Sequence, residues 1–235
     1  MVYRKNMAGF MFQVLSLMFC LHTIVLVKEE AGGETETYIY RAELAQRGKR
    51  YDDMMSFMKN IAEMNIELSH KERVLLTSAY TNAIDNRRLF WTSLRNVEEK
   101  EIGKRLQIAM NYRTEIGKEV FDICTDFLTI LNNRKLYPPA NDTESKIDFL
   151  TMKGNQYRFI TEISLGNETA AEIATEIYKE GYNLLNENIS PLNPVRLMFI
   201  GSYVSFLLDT EKNYTKAIAV TQIEYDLIKS LNQEL

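Results

Sequence analysis

The chain has 235 residues, 46% of them hydrophobic, and a formal net charge of −4 from 28 lysines and arginines against 32 aspartates and glutamates. That is ample material for one moderately large core, and the mixed, slightly acidic balance argues against a general nucleic-acid binder, which is usually basic. Cys20 and Cys124 are the only cysteines and His22 and His70 the only histidines, with no spacing that gathers metal ligands.

Cys124 reads as a small buried hydrophobe rather than a nucleophile. Nothing in the chain has the pattern of a phosphate-cradling glycine loop, a nucleophile elbow or a carboxylate dyad, so neither an enzyme nor a cofactor is expected.

In chain order, the first feature is residues 7–27 (MAGFMFQVLSLMFCLHTIVLV), 21 residues without a formally charged side chain, between Arg4 with Lys5 and Lys28 with Glu29 and Glu30. That length spans a bilayer. The positive start also suits a signal peptide, but only Ala31, Gly32 and Gly33 follow as a loose cleavage site, and Gln13, Ser16 and His22 weaken the spanning reading. Three readings stay open: a membrane anchor or uncleaved signal, a cleaved signal, or an exon that never reaches a membrane. Four sequons, at Asn141, Asn167, Asn188 and Asn213, are a small excess over the roughly two that this Asn, Ser and Thr content produces by chance.

A polar linker over 29–37 then separates the extension, 1–35, from a domain over 36–235. No proline occurs from Glu36 to Tyr137, and the four prolines cluster as Pro138 with Pro139 and Pro191 with Pro194, which marks long helices with turns between them. Helices are predicted over 36–49, 52–65, 70–98, 103–134, 143–165, 168–187, 194–209 and 213–232, with no strand-like alternation. The expected fold is all-α, an antiparallel array of helical hairpins. The last helix carries Val220, Ile223, Leu227 and Leu231 on one stripe and Tyr214, Ile218, Tyr225 and Ile228 on another, more apolar surface than one neighbour covers.

Two arginines stand out. In the helix over 143–165, Thr151, Asn155, Arg158 and Glu162 recur at 4, 3 and 4 residues, a polar stripe among Phe149, Leu150, Met152, Phe159, Ile160 and Ile163. An arginine on so apolar a helix must be paired or bind something, and Glu162, one turn on, is the expected partial partner. Arg88 lies two turns after Thr81 on a second such face. Two forked guanidiniums converging across a groove would suit a phosphate; spacing alone favours the plainer reading of two structural ion pairs.

Five blocks separate these readings: ELAQRGKRYDDMMSFMK (43–59), ELSHKERVLLTSAYTNAIDNRRLFW (67–91), YRTEIGKEVFDIC (112–124), ESKIDFLTMKGNQYRF (144–159) and NPVRL (193–197). In order and spacing they resemble the 14-3-3 family of phosphoserine/phosphothreonine-binding adaptors, from about Tyr38 to about Ile228. The resemblance implies a groove in which Arg88 and Arg158 hold the phosphate. It also shows departures. Thr81 replaces the pocket lysine, Phe159 the pocket tyrosine, and Thr151 a further groove lysine. Ser202 stands where an asparagine holds the bound backbone, and Gly201 and Ser205 replace a leucine and a valine of the apolar wall. Each lost charge-assisted bond costs about 1.5–3 kcal/mol, so affinity falls by about two orders of magnitude or more.

The resemblance further implies a dimer seam with Leu44, Ala45 and Gly48 against Phe90 and Tyr112, and an ion pair between Arg50 and Glu119 across it. A second pair is broken, since Asp53 meets Glu115 where the family has a lysine, and Phe90 replaces a small residue. Homodimers are expected to be compromised, and pairing with another 14-3-3-like subunit would restore the missing complement. The family's final helix has no counterpart before Leu235, so the array is expected to lack it. Phosphorylated client proteins are the expected partners, with no nucleic acid. The alternative is a scaffold or heterodimer subunit that no longer reads phosphate, attached to a membrane through residues 7–27. A phosphopeptide reader in the secretory lumen would rarely meet its ligand, so the expected location is the cytoplasm, the alternative being membrane-anchored or secretory.

Overall fold

A computed structural model describes residues 33–64, 66–133, 142–164 and 168–231. The apolar segment 7–27, the sequons at Asn141 and Asn167, and Pro138 with Pro139 lie outside the described residues. Those residues form eight helices and no strand: α1 (33–47), α2 (Tyr51–Glu63), α3 (His70–Glu98), α4 (Gly103–Leu131), α5 (Thr143–Ile163), α6 (Glu168–Asn188), α7 (Pro194–Asp209) and α8 (Tyr214–Leu231).

The helix ends follow local chemistry. Ser69 and Glu72 close a capping box on α3, Asp142 accepts from the Ser145 amide at the start of α5, and Asn193 caps α7 with Pro194 as its first residue. α1 starts three residues earlier than predicted and stops by folding back. The Arg50 amide donates to the Ala45 carbonyl at 2.9 Å and the Lys49 amide to that of Gln46 at 3.1 Å, with Lys49 at φ 55°. This closure usually places glycine in the left-handed position; here Gly48 comes one residue before it.

Each helix packs mainly on its sequence neighbours, from α2 on α3 through α4 on α5 to α7 on α8, and α5 also contacts α7. The core is divided accordingly. Met54, Met58, Tyr80, Ile84, Val120, Phe127 and Phe159 belong to a first cluster, and Ile147, Tyr178, Leu185, Phe199, Phe206 and Val220 to a second. Tyr157 on α5 packs against both. The second cluster needs close approach at two glycines: a Cβ on Gly154 would lie 2.9 Å from the Tyr178 ring, and one on Gly181 would lie 2.3 Å from the Phe199 ring.

α8 differs in rotation from the predicted stripes. Its buried face is Ala217, Val220 and Glu224, while Ile223 is exposed. The cause is a salt bridge within the second cluster. Arg196, 3% exposed, donates from Nε and Nη2 to the two carboxylate oxygens of Glu224, 6% exposed, at 2.7 and 2.8 Å. Further Arg196 donors reach the carbonyls of Leu185 and Ile189 and the side chain of Asn186. A guanidinium this buried is tolerable only with such saturation, and turning Glu224 inward turns Ile223 out. Tyr214, Ile218 and Tyr225 are exposed, as expected, and Ile228 is half-buried. No described helix is long and apolar enough to cross a membrane.

Candidate functional site

α4 packs on both α3 and α5, and Arg88 from α3 and Arg158 from α5 meet over one side chain. Their guanidinium carbons lie over the Phe159 ring, 4.1 and 4.5 Å from its centroid. The ring itself is buried. Its π-face partly compensates two cations that would otherwise repel each other.

Beyond that ring the two arginines are held unequally. Arg88 donates from Nε and Nη2 to Glu162 Oε2 at 2.8 and 2.5 Å, and from Nη1 to Asp85 at 3.2 Å. The expected partner assignment is therefore corrected: Glu162 pairs across to α3 and not with Arg158 on its own helix. Arg before Glu along a helix is the poorer orientation, and α3 presents a better-placed guanidinium. Arg158 instead meets Asp209, at 3.5 Å from Nη1, and its buried Nε has no acceptor. Arg158 is thus the less compensated charge.

It does act on its surroundings. Burial pushes the Tyr178 hydroxyl up to about 12, and the nearby Arg158 guanidinium opposes that rise. The same hydroxyl donates to Asn155 Oδ1 at 3.0 Å, and Asn155 Nδ2 donates to Ser202 Oγ at 3.2 Å. A polar chain therefore runs from Arg158 on α5 to Ser202 on α7.

Beside this cluster, α3, α5 and α7 enclose a groove of about 580 Å³ whose walls include Thr77, Thr81, Thr151, Met152, Asn155 and Ser202. Thr81 precedes Arg88 by two turns and Asn155 precedes Arg158 by one, so the groove leads towards both guanidiniums. Thr81 is half-buried. Thr151 is buried and spends its hydroxyl on the Ile147 carbonyl at 2.8 Å. Phe159, sunk under the arginines, has no hydroxyl to offer.

Three groups escaped the sequence reading: Asp209, Tyr178 and the true role of Glu162. Each partner lies on another helix, 51, 23 and 74 residues away, and no periodicity links them.

At the expected seam Leu44, Gly48, Phe90 and Tyr112 are exposed, and the Phe90 and Tyr112 rings meet edge-on at 5.6 Å. Ala45 is buried in the first cluster, facing its own core rather than outward. Arg50 pairs with Asp53, while Glu119 takes Arg87 at 2.7 Å, whose Nη1 also reaches Asp52 at 2.8 Å. Among the described residues no group of histidine, cysteine or carboxylate side chains could hold a metal ion.

A family model described as "14-3-3 protein" matches residues 41–234. The chain belongs to the 14-3-3 family. It is 34% identical over 195 residues to 14-3-3-like protein 2 of Caenorhabditis elegans, covering 81% of this chain and 78% of that protein. It is 33% identical over 204 residues to 14-3-3 protein beta/alpha-A of Xenopus laevis, covering 83% of each, and 32% over 197 residues to 14-3-3 protein zeta of Bombyx mori, covering 82% and 79%. 14-3-3 proteins are non-enzymatic adaptors that bind phosphorylated clients and form dimers.

Proposed function

We propose that this 14-3-3 chain is a phosphoserine/phosphothreonine-dependent adaptor with a weakened phosphate site, in which Arg158 is the principal reader and Arg88 the second cation. The observation that carries this reading is the pair of guanidiniums gathered over Phe159, one of them saturated by Glu162 and Asp85 and the other facing the neutral Tyr178 hydroxyl and a single distant carboxylate. A phosphate offers the three acceptor oxygens that Arg158 lacks. Ser202, at the groove wall, would take the client backbone with a single hydroxyl. Losing the lysine and tyrosine at positions 81 and 159 lowers affinity without removing the charge that selects phosphate.

The test is fluorescence anisotropy of the full chain with one labelled phosphoserine peptide and its unphosphorylated twin, in a salt series. Binding that needs the phosphate and weakens with salt supports the adaptor. Equal behaviour of the two peptides would transfer the function to a second reading, that of a scaffold pairing with other 14-3-3 subunits. The internal engagement of Arg88 favours that reading. In either case the location expected of the chain is the cytoplasm; membrane attachment would depend on residues 7–27.

A further inference from the structure

We propose that Asp209 is a specificity residue: its carboxylate occupies Arg158 in the unliganded chain, so that carboxylate-bearing peptides are refused and only a phosphate monoester displaces it. This rests on the phosphate-reading assignment above and concerns what that site rejects.

Asp209 is the last residue of α7, its side chain is 58% exposed, and its Oδ2 lies 3.5 Å from Arg158 Nη1. That distance is at the limit of a hydrogen bond. A carboxylate at a helix C-terminus also sits against the negative end of the helix dipole. Asp209 is therefore held in place by Arg158 and not by its own helix, and it can swing into solvent at small cost. The contrast with Arg88 is direct: Glu162 binds that guanidinium twice on one oxygen, at 2.5 and 2.8 Å, with both side chains largely shielded. Of the two cations only Arg158 has an exchangeable partner.

The exchange selects by charge. A glutamate or aspartate from a ligand replaces one monoanion by another, gains no net electrostatic energy and still bears the entropy of association. A phosphate monoester carries about −1.5 to −2 charges near neutral pH and three acceptor oxygens. It exceeds the displaced carboxylate in both charge and bond count, and its surplus charge faces Arg88, whose guanidinium shares the Phe159 ring. Peptides in which glutamate imitates phosphoserine should therefore fail on this protein.

The test uses the full chain and one short labelled peptide in three forms, with phosphoserine, serine or glutamate at the central position. The wild-type protein is expected to bind the phosphoserine form and neither of the others. Asp209→Asn keeps the shape and removes the charge; it is expected to bind the phosphoserine peptide about two- to fivefold more tightly, the worth of one exposed competing ion pair, and to bind the glutamate peptide measurably. Adding Arg158→Ala to that variant should erase both gains. If Asp209→Asn weakens phosphopeptide binding, the carboxylate orients Arg158 and the proposal is wrong. The proposal also fails alone if the wild type captures the phosphoserine form and the variant leaves all three affinities unchanged. If neither protein distinguishes phosphoserine from serine, the phosphate-reading assignment falls with it.

Discussion

Arg158 and Arg88 look equivalent as guanidiniums, and their surroundings make them different. Arg158→Ala is expected to abolish phosphopeptide capture in anisotropy titrations while leaving the thermal midpoint nearly unchanged, because its ion pair is long and half in solvent. Arg88→Ala should lower stability as well as binding, since it leaves Glu162 and Asp85 without their cation. Thr81→Lys combined with Phe159→Tyr restores one cation and one hydroxyl, each worth about 1.5–3 kcal/mol, so a gain of at least tenfold is expected by the same titration. Cys124 supplies a pH effect. Burial raises its thiol from 9.0 to about 12, against a smaller lowering by Arg88. The folded chain thus keeps this proton where the unfolded chain loses it, and the contribution present below about pH 9 is lost as pH rises towards 12. In a Cys20→Ser variant, thiol-reactive dye should label Cys124 only after denaturant is added; labelling of that native variant at pH 8 would contradict the burial.

At the scale of elements, α8 is secured to the array by charge. Glu224→Ala would strand the buried Arg196 and is expected to cost about 3–5 kcal/mol, measurable by urea unfolding. Gly181→Ala should also destabilise, by about 1–3 kcal/mol from overpacking, because its Cβ would sit 2.3 Å from the Phe199 ring. Helix positions were legible in the chain itself: the absence of proline from 36 to 137 and the clustering of Pro138 with Pro139 and Pro191 with Pro194 are local signals, and the helices begin and end near where they predict. The rotation of α8 was not. Hydrophobic periodicity favours Ile223 inward, and only the presence of Arg196 on α7 makes a glutamate the better inward residue. Glu162 was likewise assigned to its nearest neighbour along α5, when its partner lay on α3.

At the scale of the whole molecule, the exposed Leu44, Phe90 and Tyr112 offer the apolar part of a seam, while Arg50 and Glu119 already hold intramolecular partners. Self-association must therefore exchange ion pairs rather than create them, and gains little from charge. Glu115→Lys, which would give Asp53 of a second copy a cation to meet, is expected to shift the sedimentation profile towards dimer; an unchanged monomer boundary would count against this seam. The all-helical array, its turns and its family were determined by the sequence alone, because capping, proline placement and collinear motif spacing act over a few residues at a time. Which carboxylate holds which arginine, that Phe159 carries both guanidiniums, that Ala45 faces inward and that Asp209 meets Arg158 were decided only by tertiary structure. Those contacts join residues tens of positions apart, where the strength of an ion pair depends on distance and burial that no local pattern encodes.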